Sequence, residues 1–201
     1  MNTADITAEV FVESMLRHVP FDGWSEAAMQ VTAEELGMSA SDVDVLFPSR
    51  VIGVIETGLK DIDNRMVDIF MARFDAEIAT MPVHVKVREL LLARFELLQP
   101  HKEAVRKLLA FMAQPRHAKL GTSLVYKTLD HVWRAAGDRS TDYNFYTKRA
   151  TLGAVYGATL LAFLDDDTLD MQKTRWQITN KTISQPAKTE SRCAAKTPQQ
   201  T

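Results

Sequence analysis

The stretch SEAAMQVTAEELGMSASDVDVLF, residues 25–47, contains the signals that decide the fold. Ser25 is a favourable N-cap residue for a helix, and Gly37 is the residue type that most often ends one. Ser39 can open a second short helix, which must end near Pro48 because proline cannot continue a helix. The stretch therefore predicts two short helices joined by a tight turn.

Outward from this stretch, apolar residues recur every three or four positions and are interrupted by proline and glycine. The apolar pattern of residues 6–19 predicts a first helix, which Pro20 and Gly23 should end. The pattern of residues 55–74 predicts a long amphipathic helix, which should end before Pro82. Further helices are predicted over residues 82–100, 100–115, 115–137 and 142–164, with a weaker ninth over residues 169–183. No segment alternates with a period of two, so the predicted fold class is all-α.

The length of 201 residues suits one large domain, or a small N-terminal domain joined to a larger one. The first three helices predict a helix-turn-helix-like unit over residues 1–48, and the later helices predict a helical bundle over residues 49–184. Residues 185–201 are rich in Lys, Thr, Gln, Pro and Ala. Such a composition buries too little apolar surface to stay ordered, so this segment is predicted to be a disordered tail.

The N-terminal unit resembles the start of TetR-type regulators in its three short helices, its Gly-x-Ser turn and Phe47 before the long fourth helix. Its charges argue against DNA binding, because no Lys or Arg lies between Arg17 and Arg50. The same interval contains six carboxylates, namely Asp22, Glu26, Glu34, Glu35, Asp42 and Asp44. DNA affinity depends on cations that neutralise phosphates. We therefore expect a structural cap that binds no nucleic acid.

Motifs for catalysis are absent from the sequence. It contains no dinucleotide or Walker phosphate loop and no G-x-S-x-G elbow, and its five histidines do not have metal-binding spacings. His131 follows Asp130, but neighbouring helical residues point in different directions and form no dyad by themselves. The single cysteine, Cys193, excludes an internal disulfide and a cysteine-built zinc site. We expect a protein that is not an enzyme and has no cofactor and no metal.

The acidic run at residues 165–167, with Asp170 nearby, has two interpretations. Its carboxylates could hold a cation, or they could interact favourably with the N-terminus of the next helix. Because the run lies between two helices, the sequence favours the second interpretation.

Large aromatic and aliphatic residues are concentrated on three neighbouring helices of the second half. For any single one of them, ordinary core packing is the simplest role. Together they could also enclose a cavity or form a dimer face, and the sequence alone does not separate these two. The residues predicted to bind an apolar ligand are Leu108, Phe111, Met112, Tyr126, Leu129, Trp133, Leu152, Val155, Tyr156, Leu160 and Phe163.

The most distinctive segment is AAGDRSTDYNFYTKRA, residues 135–150, whose polar density between two apolar helices is not explained by packing alone. Continued to residue 167, it closely resembles the ubiquinone-biosynthesis lipid-binding accessory family, which comprises the ninth Coq protein and its bacterial relatives. PFDGWS at residues 20–25 and FP at residues 47–48 also resemble this family. Together the similarity covers roughly residues 6–176.

The resemblance implies a TetR-like fold without DNA binding, a homodimer, and an isoprenoid quinone or other lipid held between helices of a lipid-binding and dimerisation domain at residues 49–184. It also implies that the protein presents a quinone intermediate to the di-iron demethoxyubiquinone hydroxylase and performs no chemistry itself. The alternatives are a TetR-type transcriptional regulator and an enzyme of unrecognised type. The surface that meets the hydroxylase would include Asp142, Tyr143, Phe145 and Tyr146, with Phe145 where eukaryotic members often have Trp.

The location is predicted from the two ends of the chain. Residues 1–5 have neither a secretory signal nor the character of a transit peptide, which a location in the mitochondrial matrix would require. The longest apolar run, residues 152–164, is shorter than the roughly 20 residues of a bilayer span. The family's terminal membrane-docking helix is reduced here to a weakly apolar segment after Trp176. We expect a cytoplasmic protein with at most peripheral contact with the inner face of the membrane.

Overall fold

The computed structural model describes residues 6–138 and 143–183. These residues form nine α-helices, with short 3₁₀ turns before α6 and α7, and no β-strand occurs among them. The all-α prediction is therefore confirmed. The helices are α1 (Ala8–Asp22), α2 (Glu26–Leu36), α3 (Ala40–Leu46), α4 (Val51–Phe74), α5 (Val83–Leu98), α6 (Lys102–Met112), α7 (Ala118–Ala135), α8 (Tyr143–Leu164) and α9 (Gln172–Ile183).

The ends of α2 and α3 follow directly from side-chain chemistry. The Ser25 hydroxyl accepts a hydrogen bond from the Ala28 amide at 3.2 Å and so caps α2. Gly37 ends α2 with φ +69°, a left-handed conformation that glycine adopts without strain. Ser39 and Asp42 form a reciprocal capping box at the start of α3. The predicted boundaries of these two helices are confirmed.

Two other boundaries differ from the prediction. Helix α1 continues through Pro20 to Asp22 and ends at Gly23, whose amide donates to the Val19 carbonyl at 2.8 Å. A proline in the last turn removes only one helical hydrogen bond, so it does not end this helix. Helix α4 ends at Phe74, and residues 75–81 form tight turns before α5.

Helix α4 connects two hydrophobic clusters. Its first half packs with α1, α2 and α3 around Phe11 and Phe47, whereas its second half packs with α5 and α8 around Phe70 and Phe95. The absence of a side chain at Gly58 allows α1 to lie close to α4, because a Cβ there would lie 2.9 Å from a methyl of Val12. The N-terminal unit is thus fixed directly to the bundle.

Helix α8 is apolar on most of its circumference and lies between α7 and α9. It contains the apolar run at residues 152–164. Among the described residues, no helix is long and apolar enough to cross a membrane.

Candidate functional site

A cavity of about 450 Å³ lies among α5, α6, α7 and α8, with Leu59 of α4 at its wall. This volume is within the range of small-molecule sites, about 300–1,000 Å³. Its aliphatic lining includes Leu98, Val105, Leu108, Met112, Val125 and Leu160.

The spacing of residues on α6 and α7 explains why they face this cavity. Positions 105, 108, 109 and 112 of α6, and positions 118, 121, 122 and 125 of α7, follow the i, i+3, i+4, i+7 pattern of one helical face. Ala118 and Gly121 are the small residues on the α7 face. A Cβ at Gly121 would lie 3.3 Å from Met112. The absence of a side chain at Gly121 therefore lets α7 lie close to Met112 of α6.

A buried ion pair adjoins this apolar lining. Arg94 of α5 is 1% exposed, and one of its terminal nitrogens pairs with a carboxylate oxygen of Asp63 on α4. The Arg94 Nε donates to the Tyr156 hydroxyl at 3.1 Å, and the Thr128 hydroxyl donates to Asp63 at 3.1 Å. Arg94, Thr128 and Tyr156 all line the cavity. One polar network thus connects α4, α5, α7 and α8.

The network keeps the guanidinium charged despite its burial. Burial acts to lower the pKa of Arg94, but the neighbouring Tyr156 and Asp63 oxygens outweigh this and raise the pKa above its ordinary value.

Sequence reasoning did not identify Arg94, Asp63 or Thr128 as site residues. The sequence does contain a signal for Arg94 and Asp63. Arg94 interrupts the apolar run of residues 90–95 (LLLARF), and Asp63 lies on the apolar side of α4 near Met66. A charged residue within a buried run needs a partner.

The structure does not bring the predicted ligand-binding residues into one cavity. Leu108, Met112, Tyr156 and Leu160 line the cavity described above. Trp133, Leu152 and Val155 line a separate cavity of about 110 Å³. Leu129 and Phe163 lie in the C-terminal core, Phe111 packs against the N-terminal core, and Tyr126 is 44% exposed on α7. These residues point in different directions because helices of this bundle are apolar on more than one face.

A second cavity, of about 360 Å³, lies where α1 meets α4, α5 and α6. Leu59, Leu98, Val105 and Leu108 line both this cavity and the one among α5 to α8. These four aliphatic side chains therefore border both spaces.

The surface predicted to meet the hydroxylase is only partly described. Tyr146 is 69% exposed on α8. Tyr143 and Phe145 belong to α8, but their side chains lie outside the described residues, as does Asp142 altogether.

Ion pairs at the joint of α7 and α8 account for part of the polar density in the distinctive motif. Lys148 binds Asp138 at 2.8 Å, and Arg149 binds Asp130 of α7 through Nη2 at 2.6 Å. Arg149 is only 4% exposed. These residues have a structural role, which the sequence alone did not reveal.

Ion pairs also engage the cations that flank the acidic N-terminal unit. Arg50 binds Glu26 at 2.6 Å and also pairs with Asp44, while Arg17 binds Glu35 at 2.5 Å. Helix α3 presents Val45, which is 82% exposed, in the position of a DNA-reading helix. The two arginines that flank the acidic stretch are thus paired with carboxylates of the same unit.

The acidic run after α8 stabilises the start of α9. Asp166 is 1% exposed and accepts hydrogen bonds from the Thr174 amide at 2.8 Å and the Thr168 hydroxyl at 2.5 Å. Asp165 binds Lys173 at 3.0 Å. Within the described ranges, no group of three or more His, Cys, Asp or Glu side chains could hold a metal ion. The hydrogen bonds that Asp166 accepts from Thr168 and Thr174 agree with the interpretation in which the run interacts with the next helix.

Asp166 predicts a pH-dependent contribution to stability. Burial acts to raise its pKa, but the hydrogen bonds from Thr168 and Thr174 lower it from 3.8 to about 2. Since the folded state binds this proton less readily than the unfolded state, the contribution is complete above about pH 4 and is lost as the pH falls towards 2. We expect Asp166→Asn to lower the free energy of unfolding at pH 7 by about 1–2 kcal/mol.

Urea denaturation of both proteins at pH 7 and at pH 3 measures this contribution. The difference between them should shrink at the lower pH. An equal difference at both pH values would contradict the assignment.

Comparison with known proteins relates the C-terminal helices to one family. The COQ9 family model matches residues 118–185. The chain is 29% identical over 157 residues to "Ubiquinone biosynthesis protein COQ9, mitochondrial" of Drosophila melanogaster, which covers 77% of this chain and 48% of that protein. It is 26% identical over 188 residues to the human protein of the same name, covering 84% and 54%. The chain thus spans about half the length of the curated relatives it matches.

A solved structure with the same fold is the TetR transcriptional regulator from Nitrosomonas europaea. It superposes with a TM-score of 0.71 and covers 88% of this chain and 95% of its own. At 15% sequence identity this likeness shows the fold alone. The predicted TetR-like fold is confirmed.

The names of the relatives overturn the predicted cytoplasmic location. The proteins from Drosophila, human and Dictyostelium are all named as mitochondrial. The prediction was wrong because it relied on the first residues of a chain that spans only part of its relatives' length. The fold of the chain is thus TetR-like, and over most of its length its sequence is similar to proteins named as ubiquinone-biosynthesis COQ9.

Proposed function

We propose that the protein is a non-enzymatic accessory protein of ubiquinone biosynthesis that binds an isoprenoid lipid in the cavity among α5 to α8. The observation that carries this proposal is that α7 and α8, which form two walls of the cavity, lie within the region that matches the COQ9 family model. The predominantly aliphatic lining suits an isoprenoid chain, whose burial is favourable in proportion to its apolar area.

In this proposal residues 1–48 are a cap without DNA-binding chemistry, and residues 49–184 bind the lipid and a second copy of the chain. Leu108, Met112, Tyr156 and Leu160 contact the lipid. The exposed face of α8, with Ala150, Ala154, Ala158 and Leu161, contacts the second copy. The di-iron hydroxylase of the pathway is the proposed receiver of the lipid.

Deletion of the gene followed by measurement of ubiquinone tests this function. We expect the ubiquinone level to fall, the hydroxylase substrate to accumulate, and re-expression of the chain to restore both. An unchanged level would contradict the proposal. The alternative of a transcriptional regulator rests on the fold alone, and the acidic α2 and α3 oppose it.

The Tyr146 side chain gives a specific prediction for the hydroxylase contact. Because it is 69% exposed, its removal leaves the core intact, and we expect Tyr146→Ala to weaken association with the hydroxylase by about 1–3 kcal/mol. Bound lipid and the circular dichroism spectrum should not change. A pull-down or titration with the purified hydroxylase measures the effect, and undiminished association would show that this surface is wrongly assigned.

A further inference from the structure

The buried ion pair is a costly feature for the wall of a lipid cavity. Arg94 and Asp63 are 1% and 6% exposed, so both charges have been removed from water. A buried pair of this kind is often no more stabilising than apolar residues of similar volume. A cavity that held only a hydrocarbon chain would need no such pair.

The hydrogen bonds of the pair leave donors available on the cavity side. Arg94 uses Nε for Tyr156 and Nη1 for Asp63, and within the described ranges the structure has no acceptor for its Nη2. The Tyr156 hydroxyl accepts from Arg94, and the described residues offer no acceptor for its own proton. Both side chains line the cavity. A ligand oxygen there would find a guanidinium donor and a phenolic donor together.

The net charge of this polar network determines which kind of ligand oxygen it can bind. Asp63 already neutralises Arg94, and Thr128 and Tyr156 are uncharged, so the network as a whole has no net charge. An anionic head group would bring an uncompensated charge into an apolar cavity, which is costly. A neutral carbonyl oxygen would satisfy the donors at no such cost.

We infer that Arg94 and Tyr156 bind a neutral carbonyl of the ligand's head group and so select a quinone over a fatty acid or a pure hydrocarbon. Asp63 and Thr128 position Arg94 for this contact. The isoprenoid tail then lies along the aliphatic lining near Leu108 and Leu160. The inference rests on the proposed function, because it assigns a head-group site within the proposed lipid cavity.

Equilibrium dialysis of the full chain against three probes tests the inference. The probes are a ubiquinone with a two-unit isoprenoid tail, a saturated fatty acid of similar length and a branched hydrocarbon of similar length. We expect the unmodified protein to bind the quinone at least tenfold more tightly than the other two. Tyr156→Phe removes the phenolic donor to the ligand as well as the acceptor of the Arg94 Nε. It should weaken quinone binding about threefold to tenfold, with no change for the hydrocarbon.

Thr159→Val is the matched control, because it also removes a buried hydroxyl from α8. The Thr159 hydroxyl donates to the Val155 carbonyl of its own helix, and the residue does not line the cavity. Its selectivity should equal that of the unmodified protein. A merely structural role of Tyr156 would change the binding of all probes equally.

Three outcomes would overturn the inference. Equal affinity for quinone and hydrocarbon in the unmodified protein would exclude head-group recognition, and this measurement needs no variant that might misfold. Tighter binding of the fatty acid would exclude selection of a neutral carbonyl. In both cases the cavity still binds lipid and the proposed function survives. Failure of all three probes to bind would overturn the lipid-binding function as well.

Discussion

Asp63→Leu is expected to lower the free energy of unfolding by about 3–5 kcal/mol, the usual cost of leaving one member of a buried ion pair without its partner. The substitution leaves the guanidinium of Arg94, a residue only 1% exposed, without a counter-ion. Guanidinium does not lose its proton in proteins, so the charge remains. Since small proteins are stable by about 5–15 kcal/mol, this is a large share of the total.

Two further variants distinguish the effect of the unpaired charge on stability from the effect of lost packing. Arg94→Met should be less damaging than Asp63→Leu, because a buried carboxyl can neutralise itself by taking up a proton. The double variant Asp63→Leu/Arg94→Met should recover most of the lost stability, since it contains neither charge. Urea denaturation followed by circular dichroism measures all three. A double variant as unstable as Asp63→Leu would contradict the importance of the charge pair.

Leu160→Trp is expected to reduce lipid binding by at least tenfold. Leu160 is partly exposed and faces the cavity from α8, so an indole can enter the empty space without displacing the core. Each methylene that loses its buried position costs about 0.8 kcal/mol, so excluding two of them already amounts to about a tenfold loss.

Leu169→Trp is the matched control for this cavity-filling variant. Leu169 lies between α8 and α9 and is 96% exposed, so the same change there cannot reach the cavity. Both variants should keep the helical spectrum of the unmodified protein. If Leu160→Trp binds lipid as well as Leu169→Trp does, the lipid lies elsewhere.

Signals that act within a few residues made much of the fold predictable. Ser25 caps α2, Gly37 ends it in a left-handed conformation, and Ser39 opens α3 through its capping box with Asp42. Each of these interactions spans at most four residues, so the local sequence is enough to predict where these helices begin and end. The absence of basic residues between Arg17 and Arg50 was equally readable.

Features that depend on tertiary packing were not predictable in the same way. Pro20 did not end α1, because its position in the last turn costs only one hydrogen bond. The direction of Tyr156 could not be read from α8, because a helix that is apolar on most sides has no single inner face. Its partner Arg94 is 62 residues away in the chain, and only the fold brings them together.

Mass spectrometry of lipid extracted from the purified full chain tests the central claim most directly. We expect an isoprenoid quinone, or an intermediate of its synthesis, to co-purify with the unmodified protein and to be depleted in Leu160→Trp but not in Leu169→Trp. Repeated preparations that contain no isoprenoid, or that contain equal amounts in all three proteins, would contradict the account.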